Sequence, residues 1–267
     1  MKKIYRTLVK KLSFYFNVIL SKLLQKLEFK IIPSYTEIKK FNFDYSKKTR
    51  RLIYKNSARG FSKLIIDTSH YQTDLCKLGS KFGTNKSPLN EKGHRSGFTP
   101  YYDHLLNHLR NKKINFAEIG IEKNASTKMW REYFDAARIY GFEYDDLKIM
   151  NAKKHKLKNT IYKKIDVDNP GNIKKTFSKL NKKFDVIIDD STHYFNHQIN
   201  IIKNVHSFIK KNGFLIIEDI HKYKTGYAEN DYYNKINNYK KIFKKIFFVE
   251  VYNLNNYTAS WKNEKLL

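Results

Sequence analysis

The chain has 267 residues, one cysteine, and 53 Lys+Arg against 25 Asp+Glu, a formal net charge of +28. One cysteine excludes an intrachain disulfide framework and suits a reducing cytoplasm, and the length suffices for a full α/β domain with an extension. The basic balance favours anionic partners: nucleic acid, a membrane surface, or phosphorylated and nucleotide-linked small molecules.

Apolar residues at Ile4, Leu8, Leu12, Phe16, Ile19, Leu23 and Leu27 recur with a helical period, and Lys3, Lys10, Asn17, Ser21, Lys22 and Lys26 fill much of the remainder. The continuous apolar part, residues 14–20, is too short to span a bilayer, and no small-residue cleavage site follows it. Met1–Lys30 therefore reads as a basic amphipathic helix, ended by Pro33, that packs on the domain or a second subunit or rests on an anionic membrane. The first 60 residues hold 16 Lys+Arg and three acids, without strand alternation. Residues 1–66 are thus expected to form a basic helical extension, and residues 67–267 the main domain.

A Gly- and Ser-dotted entry segment, 67–109, contains Leu78-Gly79-Ser80-Lys81-Phe82-Gly83-Thr84-Asn85-Lys86. Beyond it, strands are expected over 114–121, 138–144, 160–166, 184–190 and 213–220. Helices are expected between them over 126–136, 147–157, 172–181 and 194–211. Five βα units in a row imply a doubly wound, mostly parallel sheet with right-handed crossovers. Two alternating runs, 247–253 and 257–263, flank an Asn-rich turn and predict an antiparallel hairpin that closes the sheet at seven strands.

The loop after the first strand reads Glu118-Ile119-Gly120-Ile121-Glu122-Lys123-Asn124-Ala125-Ser126. It has one glycine of the dinucleotide fingerprint G-x-G-x-x-G, and its two glutamates would repel a pyrophosphate. A small cofactor that carries positive charge and no phosphate fits better, and S-adenosylmethionine meets both conditions. Ser126 can cap the following helix, whose N-terminus suits the methionine carboxylate. Glu143, ending strand two, sits where an acid accepts ribose hydroxyls. Asp166, at the end of strand three, suits the adenine amine, with Val167 against the ring.

The two most informative runs are Phe184-Asp185-Val186-Ile187-Ile188-Asp189-Asp190-Ser191-Thr192-His193 and Phe214-Leu215-Ile216-Ile217-Glu218-Asp219-Ile220-His221. Each is an apolar strand ending in two acids with a histidine close behind. Acids at the carboxyl ends of parallel strands sit where open α/β sheets bind ligands. If the strands are neighbours their ends are ~5 Å apart, and such crowding is costly unless a cation lies among the carboxylates. Alternation along the strand turns Asp189 toward the cofactor side and Asp190 the other way. His193, one short turn beyond Asp190, is the candidate general base. His221 reads as a supporting or surface histidine. No Cys-His zinc spacing occurs.

These motifs resemble class I S-adenosylmethionine-dependent methyltransferases, and among them the metal-dependent sugar O-methyltransferases typified by the mycinamicin and macrocin enzymes. The resemblance covers about residues 78–223. It rests on Gly83-Thr84-Asn85-Lys86, the segment from His94 through Phe98-Thr99-Pro100-Tyr101-Tyr102, Glu118-Ile119-Gly120, Met129-Trp130-Arg131-Glu132-Tyr133-Phe134 and the two acidic motifs. Departures are Asn85 for the family's Asp, Glu122 in the glycine loop, Glu143 for the commoner Asp, and Ser-Thr for Gly-Ser before the histidine. The resemblance implies a magnesium or other divalent ion on Asp190, Glu218 and Asp219. It adds Thr84 and Lys86 to the cofactor-binding set of Glu118, Gly120, Ser126, Glu143, Asp166, Val167 and Asp189. It also implies a homo-oligomer.

The expected function is magnesium-dependent methyl transfer from S-adenosylmethionine to a hydroxyl of a sugar or sugar-nucleotide precursor of a bacterial surface polysaccharide, such as capsule or lipopolysaccharide. The expected setting is cytoplasmic, with peripheral membrane contact through Met1–Lys30 as a further option. One alternative is a phosphorylated or phosphoramidate acceptor. Another, of a different class, is an RNA-binding protein or RNA methyltransferase, which the charge and the 39 Phe+Tyr residues suggest. Dispersed charge and the absence of a recognisable RNA-binding module argue against nucleic acid. A membrane-peripheral scaffold is the third reading, and the acid constellation argues against it.

Overall fold

Runs of β-branched and aromatic residues separated by amphipathic stretches build the main sheet. The computed structural model describes residues 52–56, 62–68, 72–90, 95–220, 229–252 and 263–266. The chain divides into two units, Met1–Arg50 and Arg51–Leu267, and all described residues belong to the second. The Met1–Lys30 segment, His94 and His221 lie outside the described residues.

The main sheet contains β3 (Asn115–Ile119), β4 (Arg138–Glu143), β5 (Thr160–Lys164), β6 (Phe184–Asp189) and β7 (Ile209–Ile217), in the order β5-β4-β3-β6-β7. Every neighbouring pair is parallel. The order reverses between β3 and β6, the switch point at which such sheets open a ligand crevice.

Both faces are covered, and the period-2 alternation of the strands sorts their side chains between two cores. One face carries Ala117, Ile119, Tyr140, Phe142, Ile187 and Ile217 under α5 (Pro170–Leu180), α6 (Phe195–Val205) and α7 (Glu229–Ile236). The other carries Phe116, Ile139, Val186, Ile188 and Ile216 under α1 (Asp74–Phe82), α2 (Phe98–Leu106) and α3 (Ala125–Tyr133). The remaining helix, α4 (Asp146–Lys154), packs Ile149 and Ala152 against Ile121 and Tyr162.

Three expectations are corrected. Among the described residues the parallel sheet has five strands, not seven, and no hairpin closes it. The tail strand β8 (Phe247–Tyr252) instead joins a second, four-stranded sheet of order β1-β2-β8-β9. There it runs parallel to β2 (Ser62–Asp67) and antiparallel to β9 (Asn263–Leu266). The expected second hairpin strand, 257–263, falls almost wholly outside the described residues. Secondly, β1 (Leu52–Asn56) and β2 are strands inside the stretch expected to be helical, and they pair antiparallel with each other. The physical reason is burial: Leu64 and Ile66 of β2 pack with Val249 and Val251 of β8 against the main core, which outweighs the basic composition around them. Thirdly, α6 ends at Val205 and β7 begins at Ile209, where a helix to residue 211 was expected. The pairing of β7 with β6 shifts register between Phe184 and Val186. Asn212, at φ 63°, turns the backbone there.

Gly120 fixes the switch point. Its φ is +89°, and a Cβ on it would lie 2.2 Å from the Asp190 carbonyl oxygen. Gly120→Ala is expected to destabilise the protein by about 2 kcal/mol or more, through left-handed strain and displacement of the Asp190 backbone. A wild-type midpoint in urea unfolding would contradict this reading.

Candidate active site

Ladder hydrogen bonds continue one residue past the strands and so align their tips. Gly120 N donates to Phe142 O (2.8 Å), Asp190 N to Ile119 O (2.8 Å) and Glu218 N to Asp189 O (2.9 Å). Alternation then puts Glu118, Asp190 and Glu218 on the same side of the sheet as Val186 and Ile188. That side is covered by the loop between α1 and α2. Gly83 ends α1 at φ 71°, with Thr84 N donating to Gly79 O (3.0 Å). Beyond it, Ser87 Oγ donates to Cys76 O (2.6 Å) and Thr99 N to Lys86 O (3.1 Å). This bonding directs Lys86 inward, and the residue is 1% exposed.

The Lys86 ammonium lies 2.5 Å from Asp190 Oδ2 and 2.5 Å from Glu218 Oε2. Tyr102 donates to the other Glu218 oxygen at 2.6 Å. Burial pulls the Lys86 pKa down, but Asp190, then Glu218 and Glu118, more than reverse this, so the ammonium keeps its proton. Burial foremost holds the Tyr102 phenol up. Gln198 Nε2 donates to Glu218 O (2.8 Å), and Tyr232 donates to Gln198 Oε1.

In front of this cluster lies a cleft of about 460 Å³, lined among others by Gly120, Ile121, Ser126, Glu143, Asp190 and His193. Such a volume suits a cofactor-sized ligand. Asp190, His193 and Asp219 each bring a ligand atom to the cleft within 4.8 Å of the others. His193 Nε2 is 3.6 Å from Asp219 Oδ2. His193 (φ 60°), Asp219 (φ 51°) and Glu122 (φ 41°) all hold left-handed backbone and all line the cleft. Such conformations persist where surrounding structure enforces them, and they cluster at ligand sites. At His193, part of the enforcement is visible: Ser191 N and Oγ both donate to Asp189 Oδ1 (3.1 and 2.7 Å).

The structure distributes the sequence-selected residues unevenly. Thr84, Gly120, Ser126, Glu143, Val167, Asp190, His193 and Asp219 line the cleft; Lys86, Glu118, Asp166, Asp189 and Glu218 are not among its lining residues. Glu118 is buried and accepts from Thr127 Oγ1 (2.6 Å) and Trp130 Nε1 (3.1 Å), tying β3 to α3. Asp166 Oδ1 accepts from Asp168 N (3.1 Å) in the turn before α5. Asp189 is buried with Oδ2 lacking a hydrogen-bond partner, and burial pushes its carboxyl up to about 7. Glu218 has both oxygens engaged by Lys86 and Tyr102. Glu143 faces the loop, with Oε2 accepting from Glu122 N (3.2 Å) and Oε1 from Tyr144 N (2.8 Å).

Sequence reading assigned no role to several residues that the fold brings in. Tyr144 and Ile165 line the cleft. On its rim, His197 Nδ1 shares a hydrogen bond with Thr192 Oγ1 (2.8 Å), while Nε2 is 3.1 Å from Asp168 Oδ1. The one signal for this last group was the helical spacing that places His197 one turn after His193.

Comparison with known proteins gives a family. A methyltransferase-domain model matches residues 124–264. The chain is 27% identical over 176 residues to the 8-demethyl-8-(2-methoxy-alpha-L-rhamnosyl)-tetracenomycin-C 3'-O-methyltransferase of Streptomyces olivaceus, covering 63% of this chain and 42% of that protein. It is 28% identical over 154 residues to the demethylmacrocin O-methyltransferase of Streptomyces fradiae, covering 55% and 36%. The chain thus spans about two fifths of the length of these curated relatives. Among solved structures, the MycE methyltransferase of the mycinamycin biosynthetic pathway, in complex with Mg, SAH and mycinamycin VI, superposes with a TM-score of 0.50. That match has 24% identity and covers 58% of this chain and 42% of the other, a likeness of fold. With the family match spanning more than half of its residues, the chain belongs to the methyltransferase domain family.

Proposed function

We propose that this protein transfers a methyl group from S-adenosylmethionine to a sugar hydroxyl with the help of a divalent cation, magnesium in the first instance. The observation that carries the reading is the cleft at the switch point, whose lining includes both Glu143 with the start of α3 and the Asp190, His193 and Asp219 cluster. The relatives' names supply the O-methyl chemistry, and two of the compounds named, a rhamnosyl-tetracenomycin and mycinamycin VI, occur with this fold or sequence.

The donor set fits both groups. Carboxylates of Glu122, Glu143, Asp190 and Asp219 on the cleft wall suit a cationic ligand and oppose a pyrophosphate. Glu143 is placed to accept the ribose hydroxyls, the N–H groups opening α3 at Ala125 and Ser126 to bind the methionine carboxylate, and Ile165, Val167 and Tyr144 to enclose the adenine. Asp190 and Asp219, being hard oxygen donors open to the cleft, would hold the metal. When bound, S-adenosylmethionine supplies an electrophilic methyl on sulfur, and the cation lowers the pKa of a hydroxyl it chelates. His193 takes the hydroxyl proton at Nε2, in the same cavity wall as both aspartates. Its left-handed backbone, braced by the Ser191 bonds to Asp189, aims the ring rather than leaving it to rotate over solvent. Glu118, Glu218 and Lys86 act from behind, holding strand tips and carboxylates in place.

The net charge of +28 supports an anionic acceptor, such as a sugar on a phosphate or nucleotide. The names of the relatives above refer to a rhamnosyl-tetracenomycin and to demethylmacrocin, and neither name refers to a surface polysaccharide. The amphipathic Met1–Lys30 segment is proposed as the contact with a second subunit. Among the described residues, no helix is long and apolar enough to cross a membrane.

The test is transfer of labelled methyl from S-adenosylmethionine to a panel of nucleotide sugars, sugar phosphates and glycosides, with magnesium or with EDTA. Magnesium-dependent label in a sugar is expected; label in RNA alone, or in no acceptor, would contradict the reading. Glu143→Ala should weaken S-adenosylmethionine binding roughly 10- to 100-fold, the loss of charge-assisted hydrogen bonds, without altering manganese binding. Asp190→Asn should do the reverse, leaving cofactor affinity within about twofold and lowering kcat by roughly 100-fold or more. His193→Ala should lower kcat by roughly 100- to 10,000-fold with both ligands still bound.

A further inference from the structure

Lys86 is a buried charged group that the chemistry above places in contact with neither substrate, cofactor nor metal. It is 1% exposed, and its ammonium bridges Asp190 Oδ2 and Glu218 Oε2 at 2.5 Å each. Asp190 also belongs to the three-residue cluster that faces the cleft. One carboxylate is therefore shared between a fixed monovalent cation and the position for a divalent one. A protonated lysine has no lone pair with which to ligate a metal, so beside that metal it acts only as a like charge, in surroundings that screen weakly. With no metal present the same charge is favourable, because it offsets the repulsion between the Asp190 and Glu218 carboxylates that it bridges.

We propose that Lys86 is an internal counter-ion of the metal site: it holds Asp190 and Glu218 in place in the metal-free protein and lowers divalent-metal affinity by competing for Asp190. The proposal rests on the metal-assisted reading above. It makes Lys86 a positioning residue and separates it from the cofactor, toward which it presents no surface in the cleft. Tyr102, donating to the other Glu218 oxygen, keeps that carboxylate facing Lys86. Metal uptake must then pull Asp190 partly away from the ammonium, so a weakly held, exchangeable ion is expected.

The experiment is titration of the full chain with Mn²⁺, read by electron paramagnetic resonance in the presence of S-adenosylhomocysteine, together with the Mn²⁺-induced rise in Tm. Lys86→Met should bind Mn²⁺ at least about tenfold more tightly than wild type and gain more in Tm from the metal. Lys86→Arg, which retains the charge, should stay near wild type. Should Lys86→Met fail to fold, the same comparison runs between Glu218→Gln and Glu218→Gln/Lys86→Met, the double variant binding more tightly. Measurable wild-type binding that is unchanged or weakened by removing Lys86 would overturn the counter-ion role and leave the metal-assisted reading standing. Absence of Mn²⁺ binding in wild type and every variant would overturn both.

Discussion

Carboxylates at the end of a parallel sheet repel one another in a dry interior, and here a single buried ammonium offsets that repulsion. Lys86 reaches Asp190 and Glu218 from a loop more than a hundred residues away in sequence. Removing one member of such a buried pair typically costs about 3–5 kcal/mol, so the order of the strand tips depends on it. The α1–α2 loop is therefore part of the site, although it contributes only Gly83, Thr84, Asn85 and Asn90 to the cleft surface.

The geometry of the main sheet explains why the acids divide into two groups. Odd and even positions on a strand face opposite sides, so Glu118, Asp190 and Glu218 point into the layer covered by α1 to α3. There Glu118 accepts hydrogen bonds from Thr127 and Trp130, and Glu218 is held by the Lys86 ammonium and the Tyr102 hydroxyl. Asp190 is the member of this layer that also reaches the cleft. Asp219 and His193 reach it through left-handed backbone just past the strand ends. Glu218 and Asp219, adjacent in sequence, are thus divided between the buried scaffold and the cleft wall.

Much of this was legible from residue pattern. The five βα units, the acid pairs and the histidine follow from apolar runs that end abruptly in charge, and the strands place them at adjacent tips. The role of individual acids was less legible, because alternation along a strand says which face a residue takes but not what waits there. Nothing in Glu118 announces Trp130 as its partner, and Gly83-Thr84-Asn85-Lys86 gives no sign that its lysine is buried behind the cleft wall against Asp190 and Glu218. The tail misled for another reason. Residues 247–252 alternate as an edge hairpin would and do pair antiparallel with residues 263–266, but their other partner, residues 62–67, sits nearly two hundred residues earlier in a stretch whose basic composition hides a strand. Long-range pairing of this kind leaves no local signal in either segment.

The account stands on the cleft at the switch point binding S-adenosylmethionine. The most direct measurement is calorimetric titration of the EDTA-treated full chain with S-adenosylmethionine, repeated after addition of magnesium. Saturable one-to-one binding in both conditions is predicted, since Glu143 and the α3 N-terminus are not among the residues that would hold the metal. No binding heat in either condition, at protein concentrations that would detect micromolar affinity, would contradict it.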